Sequence, residues 1–177
     1  MELSLKKIKT LIDKESISKR IRELANDINS YYKDEEVLVV CILKGAFMFL
    51  SDLVRELDID IEIDFMIISS YGNNTKSSGE IRIIKDLQKS IKNKNILIVE
   101  DIVDTGYTLD HLLKYLHSRE PKDIRICTFL NKKCRRAVNI DIDFSAFEIG
   151  DEFVIGYGLD YAQRYRQLPF LGVLIDG

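Results

Sequence analysis

Ile96-Leu-Ile-Val-Glu-Asp-Ile-Val-Asp-Thr-Gly-Tyr-Thr108 is the stretch on which the reading of the fold turns. Its first four residues are apolar and mostly β-branched, as in a strand of a parallel sheet buried on both faces. The polar run begins where such a strand should end. Beyond it, Asp104-Thr-Gly-Tyr-Thr108 leads into Leu109-Asp-His-Leu-Leu-Lys-Tyr-Leu116, whose apolar residues at 109, 112, 113 and 116 have helical spacing. The turn therefore lies between the carboxyl end of a strand and the N-terminus of a helix, the place where open α/β sheets bind ligands.

That position defines a chemistry. Free N–H groups and the positive end of the helix dipole favour an anion, Gly106 lets backbone approach it closely, and Thr105 and Thr108 add hydroxyl donors. A phosphomonoester fits best. Glu100 and Asp101 would repel it unless they serve sugar hydroxyls or a hard cation with a preference for oxygen ligands. A ribose 5-phosphate carried with magnesium meets both conditions. The plainer alternative is an ordinary strand-turn-helix whose acids are solvated or cap the helix, and the length of the run weighs against it. An aspartic-protease reading of Asp104-Thr-Gly fails because the chain has no second Asp-Thr-Gly to share a proton.

Working outward, Ile17 to Tyr32 carries apolar residues at 17, 21, 24, 28, 31 and 32, an amphipathic helix that Ser16 or Ser18 can cap. Val37 to Leu43 reads as a buried strand, Ala46 to Leu57 as a helix and Ile59 to Ile68 as a strand. A polar, glycine-bounded loop over 71–79 precedes a strand at Glu80 to Asp86, and further strands at 96–101 and 123–130 flank the helix after the quoted run. This alternation predicts an α/β fold, a central parallel sheet flanked by helices. From Asp143 onward short strand-like runs, a Gly-Tyr-Gly turn and Leu171 to Ile175 suggest a small subdomain over the sheet edge.

Length and composition suit one globular domain over 1–177, with 46% apolar and 31% charged residues. A net charge of −3 gives no global basic field to recruit nucleic acid, although Lys132, Lys133, Arg135 and Arg136 form a local basic patch. Cys41, Cys127 and Cys134 lack Cys-x-x-Cys spacing, and His111 and His117 lack zinc-type spacing, so no metal centre of that kind is expected. No apolar run approaches a membrane span and the N-terminus lacks the apolar core of a signal peptide, which makes the cytoplasm the expected location, with no membrane partner.

Three further stretches invite chemistry. Leu43-Lys44-Gly45, between a buried strand and a helix, can hold a second anion on its amides and the Lys44 ammonium, although a surface Lys beside a strand-ending Gly is the plainer reading. Ser69-Ser70-Tyr71-Gly72 opens the polar loop and reads equally as a closing lid or a surface hairpin. Phe153-Val-Ile-Gly-Tyr-Gly-Leu-Asp160 reads by itself as a buried strand and a turn.

Taken with the run at 96–108, these motifs resemble the type I phosphoribosyltransferases, in order and spacing, from residue 17 to Leu174. The resemblance implies that family's fold, with a small hood subdomain formed by the C-terminal and N-terminal segments. It implies transfer of the 5-phosphoribosyl group from phosphoribosyl diphosphate to a purine, hypoxanthine foremost and guanine after it, with magnesium, in a homodimer or homotetramer. By the same resemblance the amides and hydroxyls of Asp104, Thr105, Gly106, Tyr107 and Thr108 hold the 5-phosphate, with Glu100 and Asp101 at the ribose, and Asp104 is the general acid/base at purine N7. Lys44, Gly45 and Arg166 take the diphosphate, with a cis peptide expected before Lys44, and Ser70 and Tyr71 belong to the lid. Phe153 stacks on the base, the Val154 backbone meets its edge, and Glu100, Asp101 and Asp160 are the implied metal ligands.

One departure bears on specificity. In many members a Lys lies three residues before the aromatic of the strand that here reads Asp143-Phe-Ser-Ala-Phe147, and donates to the purine 6-oxo group. Ungapped alignment puts Asp141 there, and an ionised carboxylate accepts rather than donates. Lys132 and Lys133 are the alternatives within reach. The competing readings are a transferase for xanthine or adenine, and a non-catalytic nucleotide- or RNA-binding regulator on the same fold.

Overall fold

The computed structural model describes residues 7–70 and 81–175. Strands β2 (Val37–Leu43), β3 (Ile61–Ser70), β4 (Ile81–Lys85), β5 (Asn95–Val103), β6 (Asp123–Asn131) and β7 (Phe144–Glu148) form one sheet in the order β4-β3-β2-β5-β6-β7. All neighbours are parallel except β4, which returns antiparallel on β3 and forms an edge. The expected parallel sheet is present, with β4 as its one antiparallel strand.

The central strands are buried on both sides, as their unbroken apolar runs require. On one face Val37, Val39, Cys41, Leu97, Val99 and Phe129 pack beneath helices α1 (Lys14–Tyr32) and α2 (Phe47–Leu53). On the other, Leu38, Val40, Ile96, Ile98 and Ile126 meet Leu109, Leu112 and Leu116 of α3 (Tyr107–His117). Helix α1 starts earlier than its apolar pattern: Asp13, not Ser16 or Ser18, is the N-cap, and its Oδ1 accepts from the Ser16 amide at 2.7 Å. Helix α2 ends earlier than expected. Asn29 of α1 holds the turn beyond it, donating to the Glu56 carbonyl at 3.3 Å and accepting from the Asp58 amide at 2.9 Å, so the chain reverses before entering β3.

A second, three-stranded antiparallel sheet in the order β1-β9-β8 joins Lys7–Ile12, Leu171–Ile175 and Val154–Ile155. It is the hood, and it brings the two ends of the chain together. Val154, Tyr157, Leu159 and Leu171 belong to the same apolar cluster as α1 and α2, so the hood is anchored in the main core. Tyr157, at φ +48° inside the Gly156–Gly158 turn, lies 4.7 Å from the Phe129 ring and donates its hydroxyl to Asp52 Oδ2 of α2 at 2.6 Å. Tyr157→Phe is expected to lower unfolding stability by about 1.5–3 kcal/mol, the range for a hydrogen bond to a charged acceptor. Urea denaturation with an unchanged slope measures it.

Candidate active site

Strand β5 carries the acids further than its apolar run suggests. It continues through Asp101-Ile102-Val103, so Glu100 and Asp101 are neighbours within a strand and point to opposite faces. Asp101 lines a cavity of about 430 Å³ together with Ile102, Asp104, Lys132, Arg135, Phe153, Val154, Leu159 and Asp160. Glu100 lines a separate one of about 120 Å³ with Val103, Asp104, Thr105, Gly106, Thr108 and Leu109. Asp104 stands in the wall of both. Both cavities open at the carboxyl end of the parallel sheet, where the strand-turn-helix pattern points.

The smaller cavity is the turn at the start of α3. Gly106 is its N-cap at φ +91°, a conformation that strains any side-chain-bearing residue. Tyr107 is 37% exposed and does not line this cavity. Asp104 Oδ1 is buried and, among the described residues, without a hydrogen-bond partner. The Arg135 Nε stands 3.4 Å from it, at ion-pair distance but without hydrogen-bond geometry. An unsatisfied buried carboxylate oxygen is costly and calls for a ligand.

Behind the larger cavity, Gly45 is a point of close approach. A Cβ on it would overlap Asp101 Oδ2, and a Cβ on Gly158 would overlap the Gly45 carbonyl. The loop after β2, the end of β5 and the turn leading to Asp160 therefore meet at one glycine. The peptide Leu43-Lys44 is cis. Lys44 Nζ lies 3.4 Å from Gln163 Oε1, which also accepts from Arg166 Nη2 at 3.2 Å. Arg166 further donates to the Gly158 carbonyl at 2.8 Å and pairs with Asp160 Oδ1 at 2.7 Å. Gln163 had no place in the sequence reading; it has positive φ at +63° and no motif marks it.

The acids carry the electrostatic load. Burial pushes the Asp101 carboxyl up to about 6, with Asp160 adding to the shift and the Ile102 amide and Arg166 opposing it. Burial, with Asp101 beside it, pushes Glu100 well above the usual carboxylate range. The structure does not gather Glu100, Asp101 and Asp160 into one metal cluster; among the described residues no three potential ligands meet in that way. The physical reason is the strand alternation, which leaves Asp101 and Asp160 facing one cavity and turns Glu100 into the other. Two oxygen donors, one destabilised as an anion by burial, suit a hard cation such as magnesium.

At the other end of the large cavity, Phe153 is 60% exposed with Tyr161 at its edge, ring centroids 6.0 Å apart, while Val154 is buried in β8. Asp141 is not here. It is exposed, outside the cavity wall, in the segment that leads back to the start of β7 opposite Cys127. Lys132, 5% exposed, occupies the wall instead. It follows the last residue of β6, at the carboxyl end of a parallel strand, whereas residue spacing alone could not show that the chain has turned away from the site by 141. Ser70 ends β3, and Tyr71 lies outside the described residues.

Comparison with known proteins agrees with this geometry. The phosphoribosyl transferase domain family matches residues 7–162. The hypoxanthine-guanine phosphoribosyltransferase of Bacillus subtilis is 49% identical over 166 residues, covering 94% of this chain and 92% of that protein. The hypoxanthine phosphoribosyltransferase of Escherichia coli K12 is 46% identical over 170 residues, covering 95% and 96%. The crystal structure of a hypoxanthine phosphoribosyltransferase from Staphylococcus aureus matches with a TM-score of 0.92 at 44% identity, covering 94% of this chain and 91% of that one. The chain belongs to the phosphoribosyl transferase family, and its fold is the type I phosphoribosyltransferase fold.

Proposed function

We propose that this protein is a purine-salvage enzyme that transfers the 5-phosphoribosyl group from phosphoribosyl diphosphate to hypoxanthine, and to guanine, giving IMP or GMP and diphosphate. The observation that carries the reading is the buried Asp104 Oδ1, without a hydrogen bond among the described residues, in the wall of the cavity that also holds Phe153 and Lys132. A purine stacked on the exposed Phe153 ring meets a cation for its 6-oxo group in Lys132 and an acceptor for N7–H in Asp104. The relatives' names point to the same bases.

In the reaction a purine ring nitrogen bonds to C1 of the ribose as the bond from C1 to the diphosphate oxygen breaks, through a transition state with oxocarbenium character. The protein's part is positioning and charge stabilisation. Thr105, Gly106, Thr108 and the first amides of α3 hold the 5-phosphate, and Asp104 takes the proton at N7. Lys44 and Arg166, which share Gln163 as a partner, neutralise the departing diphosphate. Asp101 and Asp160 are the side chains that would hold magnesium, with Glu100 towards the ribose; the cation would make diphosphate a better leaving group.

Mass spectrometry of a reaction with phosphoribosyl diphosphate, magnesium and hypoxanthine tests the proposal: IMP is the expected product, and no nucleotide from any purine overturns it. Specificity has its own test. Lys132→Met is expected to raise KM for hypoxanthine by at least about tenfold, the loss of one hydrogen bond from a charged donor, while Asp141→Ala leaves it within about twofold. The reverse pattern would return the base edge to Asp141.

The working form is a homodimer or homotetramer. Ile84, 61% exposed on the edge strand, and Ile63, 44% exposed on its neighbour, leave apolar surface there that assembly would cover. The compartment is the cytoplasm, in keeping with the three cysteines being free.

A further inference from the structure

Three consecutive carbonyls of the turn before α3 are held from behind by the segment that follows β6. The Val103 carbonyl accepts from the Lys132 amide at 3.0 Å and from Arg136 Nη2 at 3.3 Å. The Asp104 carbonyl accepts from Arg136 Nε at 3.0 Å. The Thr105 carbonyl accepts from the amides of Ala137 and Val138 at 3.0 and 3.2 Å. In a planar trans peptide the N–H points opposite to the C=O. Holding these three carbonyls towards the 132–138 segment therefore aims the N–H groups of Asp104, Thr105 and Gly106 the other way. Among the described residues, no backbone carbonyl outside the helices and strands accepts from any of the three. Successive amides aimed alike make an anion cradle.

Arg136 is the centre of this arrangement. Besides the two carbonyls of the turn, its guanidinium donates to Asn131 Oδ1 at 2.6 Å and to the Ile140 carbonyl at 3.3 Å. Every one of these acceptors is neutral, and among the described residues Arg136 has no ion pair, the Asp104 carboxylate acting on its charge only from a distance. Its Cδ lies 3.2 Å from where a Cβ on Gly106 would stand, which puts the side chain directly behind the turn. Only a planar fork with several donors can serve four acceptors at once; an ammonium cannot.

We infer that Arg136 is a positioning residue for the 5-phosphate: it fixes the peptide planes of 103–105 so that their amides face the phosphate, and adds a positive charge behind them. The inference rests on the phosphoribosyl-transfer reading of this site and assigns a role that reaches substrate only through the backbone. It separates Arg136 from Arg135, which lines the base cavity and faces the Asp104 side chain.

The test is Arg136→Lys, which keeps the charge and loses the fork. Its KM for phosphoribosyl diphosphate is expected to rise at least about tenfold and its KM for hypoxanthine to stay within about twofold. The inhibition constant of ribose 5-phosphate, a probe that carries the phosphate without the diphosphate, should weaken in parallel. Asn131→Ala, which frees one arm of the guanidinium, should shift both in the same direction by about threefold; it also serves if Arg136→Lys does not fold. Unchanged KM and inhibition constants in a folded variant would overturn the inference, as would equal losses for both substrates. Absence of turnover in the wild type, with ribose 5-phosphate binding still dependent on Arg136, would instead overturn the phosphoribosyl-transfer reading and leave the cradle standing.

Discussion

Asp104→Ala is expected to lower kcat by about 10²–10⁴ with little loss of folding stability, the range for a general acid/base. That corresponds to about 3–5 kcal/mol of barrier. The asymmetry between activity and stability follows from the side chain's surroundings. Its buried Oδ1 has no hydrogen bond to lose among the described residues, and Arg135 at 3.4 Å retains Asp151 as an ion-pair partner, also at 3.4 Å. Removing an unsatisfied buried acceptor costs the fold little and can even help it. Steady-state kinetics beside thermal unfolding measures both. An unchanged kcat would remove Asp104 from the chemistry, and a large drop in stability would mean that the carboxylate is structural.

Gly45→Ala is expected to damage the site directly, because its methyl group falls on the Asp101 carboxylate. The added Cβ would lie 2.5 Å from Asp101 Cγ and overlap its Oδ2, with no retreat on the other side, where the Gly158 backbone rests on the Gly45 carbonyl. Asp101 must then leave its position, and the loop that carries Lys44 or the turn that carries Asp160 must move with it. We expect kcat/KM for phosphoribosyl diphosphate to fall by at least about 10², since displacement of positioning groups by about 1 Å costs that much. The accompanying loss of stability should be about 1–3 kcal/mol, as for other overpacked sites. Full activity with normal magnesium dependence would show that Asp101 and Asp160 are not held together through this glycine.

What could be read from the residues was what local physics decides. The apolar run at 96–99, the turn chemistry of 104–108 and the periodicity of 109–116 each constrain a few neighbouring residues, and together they locate the phosphate turn and the orientation of its helix. The hood was legible only in part. β9 and β8 follow from the tail's short runs, but β1 joins them through a pairing of Lys7–Ile12 with residues more than 150 positions away, which no local pattern encodes. The split of Glu100 from Asp101 follows from strand alternation within the expected strand at 96–101, but placing both acids in one metal set passed over it; β5 in fact runs on to Val103. The exchange of Asp141 for Lys132 has a different origin: residue spacing gives distance along the chain, whereas the direction of the chain after Asn131 decides which side chain enters the cavity. Gln163 went unmarked, and Arg136 was read only as part of a basic patch, for a further reason. Their partners are backbone carbonyls and side chains brought together from distant segments, and a polar residue in a loop looks alike whether it is solvated or fixed.

The central claim is that the cavity between Phe153, Lys132 and Asp104 receives a 6-oxopurine for phosphoribosyl transfer. Initial rates of magnesium-dependent diphosphate release from phosphoribosyl diphosphate, with hypoxanthine, guanine, xanthine and adenine offered in parallel, test it most directly. Rapid release with hypoxanthine, slower release with guanine and little with adenine is the expected result; adenine leading the series, or no release with any of the four, would contradict it.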